Sequence, residues 1–199
     1  MPRKTGTIKS NKTLLLVVEG ETEYKYFNEL KQSKKIKGVT VKVAKAKHSQ
    51  LEFIFKTALS AQESKIYNSI WCIYDYDVVS KGIISENAKK LKQRIKHGRI
   101  CIADSYPEFE MWFLLHYTIP KTDCNKNELI EELRKYLPNY KKAMDGICSQ
   151  LEKTGASIQI AITNSTILAK RNEGNKNKDV SFCNVYKIFE ELEEFHLNI

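Results

Sequence analysis

The chain has 199 residues, 42% of them apolar, and carries 33 Lys and Arg against 24 Asp and Glu. That length supports one substantial core, alone or with a helical extension, and no apolar run reaches the roughly 20 residues of a membrane span. The formal net charge of +9 suits a polyanionic partner, nucleic acid first, although lysine-rich surfaces also serve solubility.

Residues 1–12 are basic, lack periodicity and contain no apolar signal segment, which predicts a flexible lead-in. Five aliphatic residues, Leu14 to Val18, then predict a strand over 13–18 buried on both faces of a parallel sheet. Glu19 and Gly20 stop it. Tyr24, Phe27 and Leu30, with Tyr26 beside them, give an apolar stripe to a helix from Glu21 to Lys35. Val39, Val41 and Val43 alternate with Thr40 and Lys42, the pattern of a strand at a sheet edge. Leu51, Ile54, Phe55, Ala58 and Leu59 place a second helix over 50–65.

Ser69 to Tyr74 form another apolar strand, and this one runs into Asp75-Tyr76-Asp77. A helix over 83–96 and a strand over 99–103 follow. Alternating strands and helices across 13–103 argue for βαβ units around a parallel sheet. Pro107 is expected in the first turn of an apolar helix from Glu108 to Tyr117, with Ser105 or Tyr106 at its cap. Further helices are predicted near 126–137, 140–152, 156–171 and 181–195, with a polar loop over 172–179. The expected division is a basic N-terminus (1–12), an α/β domain (13–120) and a helical extension packed on it (121–199). Five scattered cysteines without a C-x-x-C pair favour reduced thiols in a cytoplasm, with neither zinc nor disulfides.

The acids carry the functional reading. Asp75 and Asp77, two apart in an extended chain, point to one side, and Glu19 ends a different strand. If those strands are parallel neighbours, the three carboxylates meet at one edge of the sheet, where open α/β sheets bind ligands. Crowded carboxylates repel each other, and a hard divalent cation, Mg2+ or Mn2+, is the natural neutraliser. The plainer alternatives are a helix N-terminus for Glu19 and a solvated turn for the D-x-D. Glu23, one helical turn past Glu19, is a further candidate ligand or an ordinary first-turn acid. Glu110 is a candidate further carboxylate beside so much apolar sequence. Lys42, Lys45, Lys47 and His48 form an acid-poor stretch suited to a phosphate backbone, or else a solvated face with a helix cap. Ser105 and His116 are supporting positions behind the carboxylates; a core histidine competes with a general base at His116.

Three ordered stretches resemble the RloB-like proteins: Val18 to Glu23 with its following aromatics, Tyr74 to Asp77, and Ser105 to Tyr117. The resemblance implies a Toprim-like fold and a metal-dependent nuclease of anti-phage defence or abortive infection, acting on RNA or DNA. It also implies a separately encoded ATPase partner, and the chain itself has no G-x-x-x-x-G-K-[ST] motif. Carried over, Asp75 and Asp77 become metal ligands, and Glu19 becomes the general acid/base or a metal-linked carboxylate. The alternative from another class is a non-catalytic module that binds nucleic acid or a partner ATPase. A third reading is an enzyme that processes stable RNA precursors.

Overall fold

All five residues of Leu14–Val18 are buried, and their alternation sets the layers of the molecule. Leu14, Leu16 and Val18 enter one apolar core, while Leu15 and Val17 enter another on the opposite face. Each such side chain contributes roughly 1.5–3 kcal/mol on burial, so this strand anchors both faces. A computed structural model describes residues 12–43, 50–76, 85–95, 100–175 and 180–194. Lys45, Lys47, His48 and Asp77 lie outside them.

Strands β1 (Leu14–Val18), β2 (Val39–Val43), β3 (Ser69–Asp75), β4 (Ile100–Tyr106) and β5 (Phe182–Cys183) form one sheet of order β2-β1-β3-β4-β5. The first four are parallel, and β5 runs antiparallel to β4. Val18 lies beside Ile73, so the acids after each strand emerge at the same edge. Strand order reverses at β1, which places the topological switch point between β1 and β3.

The described residues contain eight helices. They are α1 (Glu21–Ser33), α2 (Gln50–Glu63), α3 (Glu86–Ile95), α4 (Glu110–Leu115), α5 (Lys126–Arg134), α6 (Ile147–Lys153), α7 (Ile158–Arg171) and α8 (Tyr186–Glu194). Residues of α2 and α3 pack with Leu15 and Val17; residues of α1 and α4 to α8 share the other core. The chain is thus a mixed α/β structure with a mostly parallel sheet between two helical layers. No described helix is long and apolar enough to cross a membrane.

Local chemistry sets several boundaries. Asn125 accepts from the backbone of Asn127 and Glu128, and Glu128 reaches back to the Asn125 N–H, a capping box that starts α5. Gly38 enters β2 with φ +80°, and a Cβ there would strike the Lys12 carbonyl, so only glycine fits.

Some sequence expectations are corrected. Tyr24 is exposed, and Glu23 takes its place on the buried face of α1 with Tyr26, Phe27 and Leu30. β4 continues to Tyr106 because β5 pairs with Ser105 and Tyr106. Pro107 therefore sits in the turn after β4, behind a cis peptide, and α4 begins only at Glu110 with Phe109 as its cap. Residues 140–146 form turns, and the helix there starts at Ile147. The last stretch opens with β5 before α8 begins at Tyr186.

Candidate functional site

Glu19 is the first residue past β1, and its backbone N–H still donates to the Ile73 carbonyl at 3.0 Å. That bond holds it at the end of β3. Its Oε2 accepts the Asp75 N–H at 3.0 Å. Asp75, the last residue of β3, accepts the Phe109 N–H on Oδ1 at 2.8 Å, which ties the sheet edge to the entry of α4. The Tyr76 N–H donates to the Ser105 carbonyl at 2.8 Å, and Ser105 stands opposite Asp75 in the register.

Two further acids reach this edge from helices. Glu23 is on the buried face of α1, and its Oε2 lies over Gly20, only 2.9 Å from where a Cβ there would sit. Glu110, the first residue of α4, is buried and accepts the Tyr140 hydroxyl on Oε1 at 2.7 Å. Beside it Glu108 is fully buried; its Oε2 meets Lys142 Nζ at 2.7 Å and Lys126 Nζ at 3.7 Å. Lys142 also approaches Glu110 at 4.0 Å. The other Glu108 oxygen, Oε1, is buried and finds no hydrogen-bond partner among the described residues.

These carboxyls perturb one another. Burial is the main force pushing Glu23 up to about 8; Glu110 and Glu19 add to it, while its own backbone N–H and Lys142 oppose it. Burial likewise holds Asp75 well above the usual carboxylate range, reinforced by Glu23, Glu19 and Glu110 and opposed by Lys126. Glu110 is raised by burial and by Glu108, against the Tyr140 hydroxyl and Lys142. Burial works to lower the Lys142 ammonium, but the bond to Glu108 and the charges of Glu110 and Asp75 outweigh it and its pKa rises. Burial and mutual repulsion thus both disfavour the charged forms of Glu23, Asp75 and Glu110 at this edge.

A hard divalent cation fits this donor set in kind, since every candidate donor is a carboxylate oxygen, and beside the set Glu108 Oε1 is buried without a partner among the described residues. As placed, no three His, Cys, Asp or Glu among the described residues stand close enough to hold a metal ion. The individual bonds explain the spread, since Asp75 is drawn to Phe109 N–H, Glu110 to Tyr140 and Glu108 to lysines.

Of the residues singled out in the sequence, Glu19, Glu23, Asp75 and Glu110 come together, with Ser105 next to Asp75. Ser105 Oγ is itself buried without a partner among the described residues. His116 does not join them. It is buried after α4, with Nδ1 2.9 Å from the Trp112 carbonyl, and burial lowers its pKa to about 4. Lys42 is exposed on the edge strand β2. Tyr140, Lys142 and Lys126 were not legible as part of this site. Tyr140 and Lys142 reach it across 30 and 34 residues, and the only sequence signal was indirect: two acids in an apolar stretch require donors from somewhere.

No curated protein and no solved structure matches this sequence. A match to the family described as RloB-like protein covers residues 14–192, which is most of the chain. The chain belongs to the RloB-like family.

Proposed function

We propose that this protein is a metal-dependent nuclease of Toprim type that hydrolyses phosphodiester bonds of RNA or DNA in bacterial anti-phage defence. The observation that carries the reading is the set of Glu19, Glu23, Asp75 and Glu110 at the carboxyl edge of the parallel sheet, at its switch point, where Glu19 and Glu110 favour the protonated forms of both Glu23 and Asp75. Asp75 and Asp77 would hold Mg2+ or Mn2+, with Glu19, Glu23 and Glu110 around it. When bound, such an ion polarises a phosphoryl oxygen and lowers the pKa of its water.

The chain's own groups have separable tasks. Glu19 is fixed to the Asp75 backbone, so its carboxylate is oriented to take or return a proton at the sheet edge. Glu23 holds a proton below about pH 8 and can release it as positive charge arrives. Tyr140 and Lys142 orient Glu110 and Glu108 from the opposite side. The positive charge of the chain draws in the phosphate backbone, with Lys42, Lys45, Lys47 and His48 as the proposed contacts. A separately encoded ATPase would supply any nucleotide dependence, and no membrane is involved in this reading.

Calorimetric titration of Mn2+ into the wild type and into Asp75→Asn/Asp77→Asn tests the site, followed by a Mg2+-dependent cleavage screen over RNA and DNA with Glu19→Gln as control. Micromolar binding lost in the double variant, with cleavage lost in Glu19→Gln, is expected. Metal-independent nucleic-acid binding that ignores both changes, with no cleavage, would replace the nuclease by a regulatory binding module.

A further inference from the structure

A cavity of about 250 Å3 is lined by Tyr26 and Leu30 of α1, His116 after α4, Cys148 and Leu151 of α6 and Ile158 of α7, and by none of the four carboxylates. Ala156 completes this inner wall, and Ser157 and Gln159 at the start of α7 add polar lining. The Cys148 thiol is occupied with the Tyr26 carbonyl at 3.5 Å, and burial pushes it up to about 12, so it stays neutral. Lys34, Glu152 and Glu193 are exposed and charge the mouth.

His116 supplies the polar feature of the interior. It is 3% exposed, and its ring stands edge-on to Trp112 with centroids 4.9 Å apart. A carbonyl can only accept, so the contact between Nδ1 and the Trp112 carbonyl places the ring proton on Nδ1. Nε2 is then a bare acceptor, and no described residue donates to it. The depressed basicity of the buried ring keeps it in this neutral form at physiological pH. A second anchor lies at the mouth. Ser157 makes no side-chain cap, so the first-turn N–H groups of the 14-residue helix α7 remain available to an acceptor.

We infer that this cavity is a binding site for a small uncharged planar heterocycle that donates a ring N–H to His116 Nε2 and offers an acceptor to the start of α7. The volume falls below the roughly 300–1,000 Å3 of sites for drug-sized ligands, which limits the occupant to one ring or a fused pair. In so small a space a flat ring is favoured over a flexible chain, since it surrenders little conformational freedom on binding. A purine-like base has the required donor and acceptor on one small ring system. This site is separate from the proposed metal chemistry, and its test needs no metal.

Benzimidazole, which has a ring N–H and a ring-nitrogen acceptor, and 1-methylbenzimidazole, which lacks the N–H, are suitable probes. Ligand-observed NMR titrations with the full chain in EDTA would compare them. Benzimidazole is expected to bind about tenfold more tightly than its methylated analogue, the factor for the net gain of one neutral hydrogen bond. His116→Phe should erase that preference. Ala156→Phe, which fills the cavity but leaves His116 in place, should abolish binding of both, and it decides the matter if His116→Phe does not fold. Equal binding of the two probes by the wild type, no binding of either at several millimolar, or binding that survives Ala156→Phe would overturn the assignment.

Discussion

Replacing Glu23 by glutamine removes one proton equilibrium from the buried acid cluster and barely changes its shape. The folded protein holds the Glu23 carboxyl protonated up to about 8, against an ordinary value of 4.5. Between those values the native state binds more protons at this site than the unfolded chain, so stability falls as pH rises. The penalty is absent below 4.5, grows through the interval and is complete above about 8. At about 1.36 kcal/mol per pKa unit the ceiling is about 5 kcal/mol. Water entry and small shifts of the neighbouring acids screen such sites, so about 2–3 kcal/mol is the expected size. Urea denaturation of wild type and Glu23→Gln in EDTA at pH 5 and pH 9 measures it. The variants should be nearly equal at pH 5, with Glu23→Gln the more stable at pH 9. Because the comparison is a difference, acids far from this edge cancel. A gap that does not widen with pH, or a glutamine variant less stable at pH 9, would refute the account of a buried acid whose ionisation is resisted first by burial and then by its acidic neighbours.

Tyr140→Phe removes a buried donor to an acid, and should destabilise by about 1.5–3 kcal/mol in urea denaturation, the range for a hydrogen bond to a charged group. Lys142→Met leaves the buried Glu108 with Lys126 as its remaining lysine; because Lys142 is itself more than half exposed, a loss of about 1–2 kcal/mol is expected rather than the 3–5 of a fully buried pair. Gly20→Ala should fold normally, since Gly20 has φ −128° and ψ 177°, which any residue adopts. Its new methyl would crowd Glu23 Oε2, so Mn2+ affinity should fall by calorimetry while the melting temperature barely moves.

The sheet and the acids at its edge were legible because their signals are local. Five aliphatics in Leu14–Val18 suit a strand buried on two sides, and the acids at the ends of β1 and β3 are adjacent in the chain to strands that pair in parallel. Glu23 was legible as an acid one turn along a helix but not as a buried one, because the apolar stripe could be drawn through Tyr24 as easily as beside it. What depended on distant contact was not legible. β4 runs past Ala103 because Asp104 and Ser105 still pair with β3, and it reaches Tyr106 because a two-residue strand returns antiparallel to it some eighty positions later. The turns over 140–146 lack helical bonds because Lys142 and Tyr140 are drawn toward Glu108 and Glu110, while the Ala143 N–H bonds the Thr22 hydroxyl.

Those same contacts bear on whether chemistry at the sheet edge belongs to residues 13–120 alone. The acids all lie in that segment, but their partners do not. Tyr140 and Lys142 hold Glu110 and Glu108, Glu191 of α8 accepts from Ser69 and from the Trp71 indole of β3, and β5 covers the outer edge of β4. Trp112 stacks on Phe189 at 4.8 Å, and one apolar core joins Leu14, Leu16 and Val18 to Leu129, Leu151, Leu168 and Ile188. Cutting after residue 120 would expose that core and leave two acids among apolar side chains without donors, a combination that costs far more than the typical 5–15 kcal/mol stability of a domain can absorb. A fragment of residues 12–120 should therefore show no cooperative urea transition and no Mn2+ binding, even though it contains Glu19, Glu23, Asp75, Asp77 and Glu110. Adding the fragment 121–199 should restore both only if the two pieces associate. A folded 12–120 fragment with the affinity of the whole chain would mean that the later helices merely decorate a self-sufficient site. It would also mean that the donors at Tyr140 and Lys142 do not set the charge state of the acids they touch.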